Sequence, residues 1–367
     1  MVHKTSLIVL PIPSLKKAVN WPTIASRFMW NKLVHVTEVG KRNRKPLPPR
    51  DGLGATRARV PDGEPWVAWD FIWHLVSTQR HRHPLDDESA VTSRFTAGEV
   101  VLIDGTPLTP SDLVPPGTDV FFYRRPAPEP RVPFEVTVVY EDDAIMVVNK
   151  PPFLATMPRA SHITENATVR LRRSTGNEEL TPAHRLDRMT SGLLLLTKKA
   201  SVRGAYQQLF ASRAVAKLYE AVADDIGPSL PARPSADSPL VWEHHIVKRE
   251  GELASSITVD AIPNSLTYVT DITPLQGGAA RYLLQPVTGR THQLRVQMHA
   301  AGAPIHGDPV YPELLPASAE DFTNPMLLTA VGLAFTDPLT GVKRTFSAPG
   351  FSGLATPGLK QKGRANK

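Results

Sequence analysis

Apolar residues in WVAWDFIWHLV, residues 66–76, recur at helical spacing, while GEVVLIDGTPL, residues 98–108, reads as strand, Asp-Gly turn, strand. PPGTDVFFYR, residues 115–124, predicts a further short strand, and these pieces form a small module over 61–125. A proline-rich, extended linker over 126–133 follows. From Val136 the texture changes. VTVVYEDDAIMVVNKPP predicts two strands hinged at Glu141 to Asp143, and HITENATVRLRRSTG a helix capped by Thr164 or Asn166. GLLLLTKK is a buried strand, VRGAYQQLFASRA an amphipathic helix and AKLYEAVA the next strand. Residues 226–256, rich in Pro and Ser, read as a surface excursion. SLTYVTDITPL and AARYLLQPV make a hairpin, THQLRVQMHAAGAP a helix stopped at Gly302, and the run ending at Pro349 a closing hairpin. The sum is an α+β domain over 134–350 with a mixed, largely antiparallel sheet flanked by helices. Residues 1–60 read as an irregular basic arm, in which the run at 40–52 is either an arm that touches phosphates or, the favoured reading, a solvated linker, and 351–367 as a basic tail.

Composition narrows this picture only a little. The 367 residues carry a net charge of +7, which suggests a polyanionic partner. There is no cysteine, which excludes disulfides, cysteine nucleophiles and thiolate metal sites and fits a reducing, cytoplasmic setting. No apolar stretch approaches the ~20 residues needed to cross a bilayer, so no membrane partner is expected. SLIVLPIP near the start is broken by prolines and reads as part of the arm, not as a signal peptide.

Candidate chemistry concentrates in PAHRLDRMTSGLLLLTKKA, residues 182–200. One acid, Asp187, stands between Arg185 and Arg188, directly before the buried strand. Positive neighbours favour the ionised form of a carboxylate, and a polar loop leading into a buried strand is held still, as a reacting group must be. A kinase loop is excluded because no glycine-rich phosphate loop or D-F-G accompanies it, and no G-x-S-x-G elbow is present. Taken alone, the five residues around Asp187 fit a surface loop with local ion pairs better than a reacting site. In TGRTHQLRVQMH the expected helix puts His292, Arg295 and His299 on one face and Leu294, Met298 and Ala301 on the other, so Arg295 can grip a carboxylate from a polar face. His292, His299, His306 and Asp308 follow no metal-ligand spacing, and no metal is expected.

The same segments resemble the RluA-type pseudouridine synthases. HRLDRMTSGLLLLTKKA is similar to that family's H-R-L-D-x-x-T-S-G-L-L-L signature. EDDAIMVVNKPP, AKLYEAV, PVTGRTHQLRVQMHAAGAPIHGDPVY and FTDPLTGVKRTFSAP resemble its other motifs in order. The likeness covers about residues 134–349, and the 61–125 module is similar to the α-L RNA-binding motif, with a thin basic face. Gln297, Thr329, Asp337 and Asp224 depart from the family pattern.

The resemblance implies a pseudouridine synthase fold and an isomerase that converts uridines of ribosomal or transfer RNA, as a monomer and without cofactor. It implies that Asp187 is catalytic, that Arg295 pairs with it, that Tyr219 stacks on the target uracil and that Arg185 fills the gap left by the flipped base. His184, Lys150, Lys217 and Arg290 are implied as RNA-binding positions. An inactive RNA-binding protein on the same fold is the alternative, and a metal-dependent hydrolase the third.

Overall fold

The computed structural model describes residues 46–316 and 321–351; most of the expected basic arm, and the tail from 352 on, lie outside the described residues. Two bodies of structure share these residues. The smaller starts with β1 (Thr56–Arg59) and β2 (Trp66–Val67), followed by helices α1 (Ala68–Ser77) and α2 (Glu88–Thr96). Strands β3 (Val100–Leu102), β4 (Leu113–Val114) and β5 (Asp119–Phe122) complete it. Its sheet runs β1-β5-β3, with β2 and β4 as a separate pair. Phe71, Ile72 and Val76 on α1 point inward with Val91, Val120 and Phe122, which is the stripe the apolar spacing predicted. The sheet therefore begins at Thr56, ahead of the boundary expected at residue 61, because Thr56 to Arg59 pair with β5.

The larger body is built on one sheet of eleven strands. In chain order they are β6 (Thr137–Glu141), β7 (Ile145–Lys150), β8 (Thr181–Pro182), β9 (Ser191–Thr197), β10 (Ala216–Asp224) and β11 (Leu240–Val247). Then come β12 (Ser256–Thr258), β13 (Ser265–Pro274), β14 (Ala279–Pro286), β15 (Leu328–Thr336) and β16 (Lys343–Ser347). The main path is β12-β11-β13-β14-β10-β15-β9-β7-β6, with β16 on β15 and β8 on β9. All pairs are antiparallel except β9 with β15, so the sheet is mixed and largely antiparallel as expected. Helices α3 (Ala167–Thr175), α4 (Ala200–Ala211) and α5 (Gln293–Ala300) flank it. Asn166 caps α3 by accepting from the Val169 amide, and Gly176 ends it in the left-handed conformation.

Residues 226–256 are not a surface excursion. Strand β11 lies in the middle of that stretch and pairs with β13, burying Trp242. The Pro and Ser of 226–239 hide it from a compositional reading. The basic run expected as solvated linker also ends otherwise. The guanidinium of Arg50 lies 3.9 Å above the Tyr123 ring, while the carbonyls of Asp51 and Gly52 accept from Arg173 and Arg172 on α3. The proline-rich 126–133 segment is tied down as well: the Glu129 carboxylate accepts from the backbone amides of Ile163, Thr164 and Glu165 at 2.7–3.0 Å. Both connections between the two bodies are thus fixed by hydrogen bonds.

Gly192 sets the geometry at the sheet centre. Its φ is +106°, and an added Cβ would lie 2.3 Å from the Ala330 carbonyl oxygen, so only glycine lets β9 close against β15. This is the glycine of the TSG motif, five residues after Asp187.

Candidate active site

The loop from Ala183 to Thr190 is clamped on both sides of Asp187. The Thr156 hydroxyl donates to the Leu186 carbonyl at 2.8 Å and accepts from the Leu186 amide at 3.1 Å. After Asp187, the Arg188 carbonyl accepts from the Lys150 ammonium at 3.2 Å, and the Thr190 amide donates to the Asp187 carbonyl. Leu186 and Met189 are buried, and the four leucines of β9 that follow are almost wholly inaccessible. The backbone of Asp187 is therefore immobilised while its carboxylate, 22% exposed, faces a cleft.

The cleft is open to solvent and is lined by Asp187, Arg185, Lys217, Tyr219, Arg290 and Arg295, among others. Lys217 and Tyr219 share one face of β10 at i, i+2, and the register with β15 slips between Leu218 and Tyr219. Burial, reinforced by the charge of Asp187, pushes the Tyr219 phenol far above its ordinary value, so it stays neutral. Burial pushes Lys217 down to about 8, and its ammonium donates to the Thr288 carbonyl at 2.8 Å. Arg185 and Arg290 are exposed at the rim.

Arg295 differs most from its expected setting. It is not on a solvated polar face: its side chain is 3% exposed. Nor does its fork take Asp187. Nε and one terminal nitrogen donate to the two oxygens of Asp308 at 2.7 and 2.6 Å, and the other terminal nitrogen stands 3.6 Å from Asp187 Oδ2. Burial works against the Arg295 charge, but the hydrogen bonds and charge of Asp308 overcome it and raise the pKa. The helix expected from Thr291 begins at Gln293, since His292 is a left-handed N-cap residue with φ +56°. That turn brings its Nε2 to 4.0 Å from Asp187 Oδ2. Burial pushes His292 down to about 4, with Asp187 opposing.

Two expected RNA contacts are not placed to make them. Lys150 has no accessible surface, and its ammonium donates to the carbonyls of Pro151, Leu154 and Arg188. It pins the loop, which no phosphate can reach it to replace. Burial pushes it down to about 7, the charge of Asp187 opposing. His184 stacks on Phe210 at 4.3 Å and accepts from the Leu195 amide at 3.1 Å. Burial lowers it to about 3. Its place is the back of β9, not the cleft.

Asp308 is the residue that the sequence reading missed as a partner of Arg295. The signal available was the chemistry itself: a buried guanidinium requires a buried acid, but nothing local says which one. Gln297, a departure from the family pattern, is buried; its side chain accepts from Thr267 at 2.7 Å and donates to the Trp242 carbonyl, tying α5 to β13 and β11. His306 meets Asp224, so among the described residues no three His, Asp or Glu side chains converge as a ligand set. No described helix is long and apolar enough to cross a membrane.

The profile of the RNA pseudouridylate synthase family matches residues 144–300, a span that contains Asp187, Tyr219 and Arg295. The chain is 34% identical over 223 residues to the dual-specificity RNA pseudouridine synthase RluA of Escherichia coli K12, covering 60% of this chain and 95% of that one. It is 29% identical over 279 residues to the ribosomal large subunit pseudouridine synthase D of Neisseria meningitidis serogroup B, covering 71% of each. Among solved structures, human RNA pseudouridylate synthase domain containing 1 aligns at a TM-score of 0.47 and 26% identity, over 61% of this chain and 86% of that one. With its α+β sheet and the length of relative it spans, the chain belongs to the RluA-type family of RNA pseudouridine synthases, isomerases that act on RNA.

Proposed function

We propose that this protein converts specific uridines of ribosomal or transfer RNA to pseudouridine, with Asp187 as the reacting carboxylate. The carrying observation is the position of Asp187: backbone clamped on both sides, carboxylate open to a cleft, and a buried guanidinium 3.6 Å away. The reaction breaks the bond from N1 to the ribose, turns the uracil and joins C5 to the same ribose carbon; the C5 proton leaves and N1 gains one. Atoms and electrons balance within the nucleotide, so no cofactor is required.

Each remaining group has a part in this reading. A target base in structured RNA must leave its stack, at a cost of a few kcal/mol. Tyr219, a neutral ring on the cleft wall, offers a face for the flipped uracil, and Arg185 on the rim fills the vacancy in the helix. Arg290 and Lys217 line the same cleft and meet the phosphates beside the target. The fixed geometry keeps the freed uracil in place until it rejoins the ribose. The reading includes action as a monomer, and the lack of cysteine supports a reducing, cytoplasmic setting.

The test is pseudouridine formation on ribosomal and transfer RNA by the purified protein, beside its Asp187→Asn variant. The wild type is expected to convert at least one uridine, and the variant to bind the same RNA without converting it. Tight RNA binding by a wild type that forms no pseudouridine would instead establish an inactive RNA-binding protein.

A further inference from the structure

We infer that Asp308 is a positioning residue of the reaction: by occupying the fork of Arg295 it leaves one guanidinium nitrogen, and only one, for Asp187. The inference rests on the proposed function and adds a residue to it.

A guanidinium facing a single carboxylate closes on it through two parallel hydrogen bonds. Had Arg295 done so with Asp187, both oxygens of that carboxylate would be held in a planar pair. The structure shows another division. Nε and one terminal nitrogen of Arg295 are taken by Asp308 at 2.7 and 2.6 Å. Asp187 receives only the remaining nitrogen, on Oδ2, at 3.6 Å. The fork is thus spent on the carboxylate that does not face the cleft. The Asp187 carboxylate feels a fixed positive charge without being enclosed by it.

Asp308 is built to hold this position. Its side chain is fully inaccessible, and besides Arg295 its Oδ1 accepts from the amides of Val310 at 2.8 Å and Tyr311 at 3.3 Å. Gly307 before it has φ +75°, and an added Cβ would come within 2.5 Å of the Pro325 carbonyl oxygen. The turn that delivers Asp308 to the pair therefore admits only glycine. The next residues reinforce the same corner. The Tyr311 ring lies 5.6 Å from the Arg295 guanidinium, and its hydroxyl is tied to the backbone of Ser255 as both donor and acceptor. Asp308 is consequently a fixed anchor, and Arg295 is aimed from it as a rigid plane. A buried pair used only for stability has no need to leave a third donor directed at a second carboxylate in a cleft.

The test compares wild type with Asp308→Asn and Asp308→Glu in single-turnover pseudouridine formation, alongside RNA affinity and thermal melting. The Asn variant puts an amide donor against one donor of the fork, and the Glu variant keeps the charge but moves it by one methylene. The expected result is a rate loss of about 100-fold for Asn and at least about tenfold for Glu at a temperature where both are folded, with RNA affinity within about twofold of wild type. A folded Glu variant reads the proposal even where Asn fails to fold. Either folded variant at wild-type rate, or a loss of rate that follows a loss of RNA affinity, overturns it. A wild type that forms no pseudouridine at all would remove the proposed function itself, which these variants leave untouched.

Discussion

Residues 56–125 hold ten Asp and Glu against seven Lys and Arg, while the cleft of the large sheet sets Arg185, Lys217, Arg290 and Arg295 around the single carboxylate of Asp187. Both regions belong to a chain of net charge +7, yet only one looks cationic to an approaching RNA. The excess lies elsewhere: the first 55 residues contain ten Lys and Arg and two acids. Net charge describes solubility and long-range attraction, whereas recognition depends on where charge is exposed. The small body is packed around a core of its own. Its core is apolar, its one buried ion pair joins Arg94 to Asp86, and its connections to the large body are hydrogen-bonded at Gly52 and Glu129.

The sharpest way to break the comparison is at the carboxylate. Asp187→Asn is expected to lower single-turnover pseudouridine formation by at least about 10³-fold, equivalent to ~4 kcal/mol of barrier, with RNA affinity nearly unchanged. A variant with a tenth of wild-type activity would move the chemistry away from Asp187. Next in size, Arg295→Lys should cost about 100-fold, because an ammonium cannot span two oxygens of Asp308 and still reach Asp187. Full turnover by that variant would show that the fork is dispensable.

Lys150→Met tests the clamp and not the contact with RNA. It removes the donor for three carbonyls, and chemical denaturation should show a loss of about 1–3 kcal/mol with RNA affinity unchanged. Weaker RNA binding would return Lys150 to the surface role that the sequence suggested.

A smaller effect is expected from pH. Burial holds His184 at about 3 and His292 at about 4 in the fold, against an ordinary value of 6.5. The unfolded chain takes up these protons first as acid is added. Their stabilising contribution is therefore complete above about pH 6.5 and declines as pH falls toward 4. Melting temperature should drop between pH 7 and 4.5, and less so in His184→Asn; an identical drop in the variant would exclude that ring as a source. Smallest of all, Arg80→Ala and Arg82→Ala, exposed in the turn that follows α1 of the small body, should change RNA affinity by less than about twofold, while Arg290→Ala at the cleft rim should weaken it by about fivefold. Equal losses would erase the difference between the two regions.

How far the sequence reached follows the range of the forces involved. The period of apolar residues gave α1, α3, β7, β9 and the β13–β14 hairpin, since each depends on which face is buried. It failed for β11, whose partner β13 is supplied from 20 or more residues away after a Pro- and Ser-rich approach. It also failed at His292, where one left-handed residue shortens the helix. Motif order led to Asp187, Tyr219 and Arg295 as one cluster, and the fold does bring them into one cleft.

By itself, then, the sequence determined the elements, the family likeness and the residue types that meet at the cleft, because these rest on local periodicity and on motifs whose spacing is covalent. Only the tertiary structure decided who pairs with whom. It turned Lys150 and His184 inward, buried Arg295 in the wall of the cleft and gave its fork to Asp308. Those choices are made by burial, since a charge removed from water must find its partner in space, wherever along the chain that partner stands.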